Sequence, residues 1–438
     1  MDRLKQILRE AMAAEARHDW DSAVWLYGLA EQLQPADHRL STNLANVFWL
    51  ADKPQQALAP VRRAMELAPA EALPKMGLGN ILRDLNDFEG SVEAYAESFR
   101  LNPAPLTGWN WSQGLIGLER YEEAFVVAEA RLSVTEMQPF RPAPYFAGEA
   151  PLKELVSQGP VHVWSEQGFG DTLQYLRWIC VLCQQDNQLC IEVEWQLERL
   201  IREGLAWLPY PPQVAVKVGE GSAPDPVDSP QGALMSLPHL LGGAPLVEDL
   251  FVADGQGGWQ GYLRSHWWPK SPRQAHPRVG LVWAAGRKLE DPFTAREYRK
   301  RSLPPEALSR LIKGLHAQGA QLSNLQFGPD RDQAQPWAEL FVHTMPVQAD
   351  FAENAAWIGQ LDLLISVDTA SAHLAGALGH PCWLLLPYSA DPRWLRDRSD
   401  SPWYPSLRLF RQPQTAQWMP VIDQVLSAFM PWWQQASS

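Results

Sequence analysis

Along the first 135 positions the apolar residues recur at helical spacing, in runs separated by short polar or proline-containing turns. That period predicts a series of amphipathic helices, beginning with "MDRLKQILRE" at the first residue. From about position 160 the pattern changes. Short apolar runs, "VHVW" (161–164), "LCIEV" (189–193) and "QVAVKV" (213–218), alternate with helical stretches such as "DTLQYLRWICVLCQQ" and "QLERLIREGL". A second alternating block runs from "RVGLVW" (278–283) through "PPEALSRLIKGLHAQ", "QLSNLQ", "FAENAAWIGQ", "LDLLISV" and "CWLLLP" (382–387). Strands alternating with helices predict parallel, doubly wound sheets. A last amphipathic helix, "AQWMPVIDQVLSAFMPWW", closes the pattern.

The helical part repeats itself. Pro35, Pro69 and Pro103 lie 34 residues apart, and twelve residues before each stands a small residue, Ala23, Ala57 or Ser91. Four residues further on come Tyr27, Val61 and Tyr95, and Ala45 and Gly79 occupy the close-packing position of the first helix in two units. This is the pattern of the tetratricopeptide repeat. Small residues let paired helices approach, the larger one fills the neighbouring groove, and proline ends the second helix. A fourth unit, "WNWSQGLIGLERYEEAFVVAEARL", has its small residue, Ala124, one position early. The expected organisation is repeats over 1–135, a proline-rich linker over 136–159, and a first Rossmann-like domain over 160–276. A second such domain follows over 277–412, with a terminal helix over 413–438 that returns towards the first. Within the first domain, 219–276 reads as loop with one strand-like piece around "ALMSLPHLL".

Composition narrows the function classes. The chain has 438 residues, 20% charged and 46% apolar, with a formal charge of −13. That balance predicts folded domains and argues against nucleic acid as partner. Four cysteines are too few for a disulfide framework, and the Cys180/Cys183 pair lies in an apolar helical run, so buried thiols are expected. Neither a signal peptide nor a membrane span is read from the sequence, and the expected compartment is the cytoplasm.

Three stretches carry candidate chemistry. "SEQGFGDTLQY" follows a strand and opens a helix, so Gly168 and Gly170 fall in a βα turn, where glycine permits positive φ and close approach by a ligand. Asp171 stands at the helix start; the plainer role for it and Thr172 is to cap that helix. Leu173 occupies the third glycine position of a dinucleotide fingerprint, so that motif is absent. "DTASAHLAGALGHP" follows "LDLLISV": Asp368 or Thr369 ends a buried strand, Ser371 begins a helix, and His373 lies in its first turn. Unpaired amides and the positive end of the helix dipole favour an anion there, with Thr369 and Ser371 adding hydroxyls. The alternative is an ordinary capped helix with His373 paired to Asp368. "WAAGRKLEDPFTAREYRKRSLP" reads as one loop holding Arg287, Lys288, Arg296, Arg299, Lys300 and Arg301. Cations in such a loop suit a departing phosphate, although charge runs are more often solvated faces.

"EQGFGDTLQYLRW", "VGLVWAAG…RSLP", "LISVDTASAHLAGALGHPCWLLLP" and "DPRWLRDRSDSPWYPSLRLFRQ", in this order, resemble bacterial tetratricopeptide-repeat glycosyltransferases whose catalytic region is similar to the heptosyltransferase family, family 9. The resemblance implies a GT-B pair of Rossmann-like domains and an inverting, metal-independent transfer of a hexosyl or heptosyl group. It implies no cofactor, a nucleotide-diphosphate sugar serving as donor substrate. It places the general base on Asp171 and the donor-phosphate motif on Asp368, Thr369, Ala370 and His373, with Ala370 departing from the usual glycine. Gly168, Gly170 and Ser371 would complete the seat, and Arg287, Lys288 and Arg301 would meet the leaving diphosphate. Arg393 and Trp394 are expected at the mouth, where the indole can stack on a sugar or base. The repeats suit an extended peptide or partner helix, which makes a protein hydroxyl one candidate acceptor. The alternatives are a repeat scaffold with an inert GT-B region and a transferase acting on polysaccharide or lipid.

Overall fold

The computed structural model describes residues 2–134, 160–184, 188–217, 230–243, 250–255, 258–268, 271–272, 274–287, 289, 291–347 and 349–435. The linker expected over 136–159 therefore lies outside the described residues. The chain divides into two compact units. The first comprises Met1–Glu136, Arg287–Lys300 and Pro387–Asp397; the second comprises Met137–Gly286, Arg301–Leu386 and Arg398–Ser438.

In the first unit eight helices alternate: α1 (Asp2–Ala16), α2 (Trp20–Leu33), α3 (His38–Leu50), α4 (Pro54–Leu67), α5 (Ala72–Asp84), α6 (Phe88–Leu101), α7 (Pro105–Gly117) and α8 (Tyr121–Ala128). Each helix packs on the next. Ala23, Ala57, Ser91 and Ala124 are fully buried at the pair contacts. Gly79 is indispensable there: a Cβ would come within 2.6 Å of the Tyr95 ring. Ser91 Oγ donates to Gly79 O at 2.9 Å and locks α5 to α6. Within each pair the turn is made by a non-glycine residue at positive φ: His18, Asp52, Asn86 and Glu119. Asn, Asp and His tolerate that conformation best. These turns recur after 34, 34 and 33 residues, which accounts for the early position of Ala124.

The other two segments of this unit come from the expected second Rossmann-like domain, so the boundary at 277–412 is corrected. The basic stretch is also not one loop, since Pro292–Arg301 is a helix, α12. Asp291 starts it, accepting from the amides of Phe293 and Thr294 at 2.9 and 3.1 Å, with Pro292 at the first position. Arg296 is buried against the repeats, donating to Asp84 at 2.5 Å and Asp52 at 2.9 Å. Its guanidinium lies 4.9 Å from the Trp49 ring, and Trp49 Nε1 donates to Asp84 at 2.8 Å. Burial opposes ionisation of Asp84, yet Arg296, Lys300 and Arg83 outweigh it and hold the carboxyl at about 2. In the segment 387–397, Arg396 donates to Asn86 O, and Asn86 Nδ2 donates to Tyr388 O at 3.0 Å.

The second unit holds two parallel sheets. The first is ordered β3–β2–β1–β4, from β1 (Pro160–Trp164), β2 (Gln188–Val193), β3 (Gln213–Val216) and β4 (Gln231–Ala233). The stretch expected as a strand around 233–241 is instead the end of β4, a single 3-10 turn and a short helix. The second sheet is ordered β12–β11–β10–β7–β8–β9, with β7 (Arg278–Val282), β8 (Gln321–Asn324), β9 (Phe341–Thr344), β10 (Leu363–Val367), β11 (Cys382–Leu386) and β12 (Leu407–Arg411). Between them β5 (Val252–Ala253) and β6 (Trp259–Gln260) pair antiparallel. Helices α9 (Phe169–Leu182), α10 (Trp195–Gly204), α11 (Leu237–Leu241), α13 (Pro305–Ala317), α14 (Phe351–Gly359) and α15 (Ala370–Leu378) join the strands. A helical solenoid followed by two Rossmann-like domains is the arrangement expected from the sequence. The strands β9 and β12 were not anticipated. The last helix, α16 (Trp418–Gln435), packs on α13 and β12, not on the first Rossmann-like domain as expected. Gly314 makes the room, since a Cβ there would stand 2.5 Å from Leu426, and Arg310 pairs with Asp423 at 2.5 Å.

Among the described residues no helix is long and apolar enough to cross a membrane, and no group of three or more His, Cys, Asp or Glu is placed to hold a metal ion.

Candidate functional site

Strand order fixes where each sheet can hold a ligand. In the first sheet β1 pairs with β2 on one side and with β4 on the other; in the second, β10 pairs with both β11 and β7. Helices diverge to opposite faces at such reversals and leave a crevice at the carboxyl ends of the strands. The glycine-rich turn follows β1, and Asp368-Thr369 follows β10. Both candidate motifs thus stand at reversal points.

Every residue of β10 is buried, which fixes the turn that follows. Thr369 caps α15 with extended backbone and no side-chain cap bond; its hydroxyl lies 3.0 Å from Ser366 Oγ instead. The amides of Ala372 and His373 turn back to Thr369 O at 3.0 and 3.3 Å. Those of Ala370 and Ser371, the first two of the helix, are left facing forward. Ser371 Oγ accepts from Asn354 Nδ2 at 3.3 Å, from buried Asn354 on α14. Arg301, the last residue of α12, donates to Asp368 O at 3.4 Å. His373 Nε2 stands 3.9 Å from Asp368 Oδ1, and its Nδ1 lies 3.0 Å from the hydroxyl of Tyr404.

The glycine-rich turn meets this helix directly. A Cβ on Gly170 would stand 2.8 Å from His373 Cδ2. The glycine is therefore needed for the approach of α9 to α15, where the sequence had suggested approach by a ligand. Neither Gly168 nor Gly170 has positive φ; that conformation falls on Gln167, at 61°. Asp171 Oδ2 accepts from Gly168 N at 3.1 Å, so the carboxylate does cap α9, and it remains half exposed. Nearby, Glu166 accepts from Met235 N at 3.1 Å, tying the β1 and β4 turns together.

The structure thus brings together Gly168, Gly170, Asp171, Arg301, Asp368, Thr369, Ser371 and His373 in one unit. Arg287, Arg393 and Trp394 belong to the other unit. Arg287 is exposed, and Lys288 lies outside the described residues. Arg393 pairs with Asp391 at 3.0 Å. The expected stacking role of Trp394 is corrected: its side chain is fully buried where the segment packs on α7, leaving no indole face for a ligand. Arg296, foreseen among phosphate-facing cations, is consumed by Asp52 and Asp84 as described above.

Sequence reasoning missed the support behind His373. Arg177, fully buried on α9, donates to Gln174 O at 2.8 Å and to Trp403 O at 2.9 Å. Its guanidinium lies 5.1 Å from the ring centres of Trp403 and Tyr404 and 5.6 Å from that of Tyr262. Tyr262 donates to Leu173 O at 2.7 Å, and burial lifts its phenol well above the ordinary value. An arginine inside an apolar helix, "YLRW", was the available signal, but nothing in its spacing points to partners more than 80 residues away.

A cavity of about 1070 Å³ lies at the other end of α15, beside Leu378 and His380, and is lined by Trp207, Arg264, Trp267 and Trp268. It is separated from Thr369 by the length of that helix, so volume and candidate chemistry do not coincide.

No family model matches the chain. Protein FlbA of Caulobacter vibrioides is 31% identical over 159 residues, which is 35% of this chain and 25% of FlbA. The chain therefore spans about a quarter of that relative's length. Among solved structures, a MamA protein is 13% identical over 30% of this chain and 73% of its own, with a TM-score of 0.28. The Sgt2 TPR domain of Aspergillus fumigatus is 20% identical over 27% of this chain and 82% of its own, at 0.27. A mutant of the Thermobaculum terrenum O-GlcNAc transferase is 14% identical over 97% of this chain and 89% of its own, at 0.32. Likeness of this degree carries no argument about activity, and the architecture stands on the chain's own helices and sheets.

Proposed function

We propose that the chain is a glycosyltransferase whose nucleotide-sugar donor rests its diphosphate on the amino end of α15. Thr369, Ser371 and the forward-facing amides would hold the phosphates, with Arg301 as the neighbouring cation. Asp171, on the turn that abuts His373, would accept the proton of the attacking hydroxyl as the bond to the anomeric carbon forms and the nucleoside diphosphate departs. The acceptor would be a protein hydroxyl recruited through the repeats. The reading is carried by the contact of Gly170 with His373, which brings the two strand-order reversals into one place.

A non-catalytic reading draws on a specific observation of its own. Asp171 is engaged as a helix cap, and the hydroxyls of Thr369 and Ser371 have partners within the fold. Titration with UDP, GDP and ADP, followed by turnover of the matching sugar nucleotides, separates the two. The transferase reading expects one nucleotide to raise the melting temperature, and Asp171→Asn to lower turnover by about 10²–10⁴ while that nucleotide still binds. Binding without turnover, or no binding of any of the three, leaves the non-catalytic reading standing; turnover indifferent to Asp171 removes that residue as the base.

A further inference from the structure

We propose that the cavity at the carboxyl end of α15 is a binding site for a neutral oligosaccharide, with Trp267 as its stacking platform and Arg264, Ser265 and Glu203 as its hydrogen-bonding rim. The site is separate from the diphosphate seat at the amino end of that helix and does not depend on it.

The volume, about 1070 Å³, stands at the top of the range of about 300–1,000 Å³ usual for small-ligand pockets, which leaves room for more than one sugar ring. Its wall is built before any ligand arrives. The amides of Gly261 and Leu263 donate to the last carbonyls of α15, Leu378 O and Ala377 O, at 3.1 and 3.0 Å. Only glycine allows that approach, since a Cβ on Gly261 would run into Ala377 O. Arg264 N donates to Gly204 O, at the end of α10, at 2.9 Å. The segment 261–264 is thus clamped between two helix ends, and ordering it costs nothing on binding.

The side chains supply both kinds of polar group. The Arg264 guanidinium lies 3.9 Å from the centre of the Trp207 ring, its Nε donates to Gly261 O at 2.7 Å and its Nη2 to Leu250 O at 3.4 Å. It pairs with no carboxylate among the described residues; the carbonyl ends of α10 and α15 supply the negative potential instead. Its Nη1 donates to none of the described residues, on a group held too firmly to turn away. Ser265 Oγ accepts from Trp267 N at 3.1 Å, so its own O–H remains to donate. Glu203, on α10, accepts no hydrogen bond from the described residues and adds an acceptor. Trp267 is 64% exposed. A sugar offers an apolar C–H face to an indole and hydroxyls that both donate and accept around it. A phosphate would meet the carboxylates of Glu203 and Asp254 on the same wall, and an apolar ligand would strip water from Arg264 and Glu203 without replacing it. A neutral polyhydroxyl ligand avoids both costs.

The test uses the full chain carrying 5-fluorotryptophan, with Trp267→Phe to assign the fluorine signal, titrated with maltohexaose, cellohexaose and chitohexaose. At least one hexaose is expected to shift the Trp267 signal saturably, and its monosaccharide to bind at least about tenfold more weakly. Trp267→Ala, at an exposed position that spares the fold, is expected to weaken that hexaose by about tenfold, the scale of one stacked ring. If no hexaose moves the Trp267 signal, the proposal falls with no affinity variant needed. It falls also if a hexaose binds Trp267→Ala as tightly as wild type, or if inorganic pyrophosphate moves the signal more than every hexaose does. UDP, GDP and ADP read the diphosphate seat separately: a nucleotide whose affinity drops with that of the hexaose in Trp267→Ala makes the two sites one and overturns the proposal. Hexaose binding by a chain that takes none of the three nucleotides supports the cavity site and removes the transferase reading instead.

Discussion

Replacing Arg296 by Met isolates the cluster that ties α12 to the repeats. The side chain is 1% exposed and its partner Asp84 is 5% exposed. Methionine has a similar length but leaves Asp84 buried with its strongest cation gone. Removing one member of a buried pair costs about 3–5 kcal/mol, because the remaining charge is stranded. A second route gives a similar order of magnitude for Arg296, Lys300 and Arg83 together. Asp84 is held at about 2 against 3.8, and that difference, worth about 2 kcal/mol, is already net of the burial opposing it. Loss of the guanidinium over Trp49 adds to either figure. Local opening is the quantity to measure, since a chain of two units need not unfold in one step. Hydrogen exchange in peptides from 38–53, 72–87 and 291–301 should rise by about two to three orders of magnitude in Arg296→Met. Asp84→Asn in that background should restore part of the protection, because it removes the stranded charge. If Arg296→Met exchanges within tenfold of wild type in these peptides, or if the two substitutions add independently, the cluster does not hold the segment.

Two further outcomes follow from contacts already described. The folded value for Asp84 lies below its unfolded one, so its contribution is complete above about pH 4 and is lost as the pH falls towards 2; protection of 72–87 should decline over that window in the wild type and much less in Asp84→Asn. Gly170→Ala places a methyl 2.8 Å from His373 Cδ2, which should cost about 1–3 kcal/mol in overpacking, lower the melting temperature and shift the His373 ring resonances; a variant that melts and resonates like wild type removes the claimed contact between α9 and α15.

The repeats were legible because their determinant is steric and periodic: Ala23, Ala57 and Ser91 are small where helices touch, and Gly79 is glycine where Tyr95 needs its space. The basic stretch misled for a physical reason. Asp291-Pro292 is a helix-start signal, but six cations in fifteen positions drew attention to charge, and nothing local says that Arg296 will be neutralised by Asp52 and Asp84, more than 200 residues earlier. Trp394 failed likewise, since an indole beside an arginine reads equally well as a stacking platform or as filling. The destination of α16 depended on Gly314 accepting Leu426, a match between two helices each unremarkable alone. Turn positions Asp368 to His373 were readable as a helix start, but the partnership of His373 with Tyr404 joins residues 31 apart across a strand and a loop.

Strand order, which no local pattern reveals, and the absence of a first-turn acid together separate α15 from α9, α10, α13 and α14. Helix α10 begins after Glu194, whose carboxylate takes Ser165 and Lys217, and α14 begins after Asp350, which holds Arg199 at 2.7 and 2.8 Å and caps Glu353. Each of those mouths already contains an acid, as does α13 with Glu306 in its first turn. Helix α9 has Asp171 in its first turn. Helix α15 has no acid in its first turn and no side chain capping it, and it follows a strand at an order reversal. A helix dipole attracts an anion only where no carboxylate has already answered it. On the glycosyltransferase reading proposed above, the turn that carries Asp171 and the start of α15, which meet at Gly170 and His373, would divide the labour that transfer from a phosphate ester demands: one end to seat the leaving group, the other to take the proton.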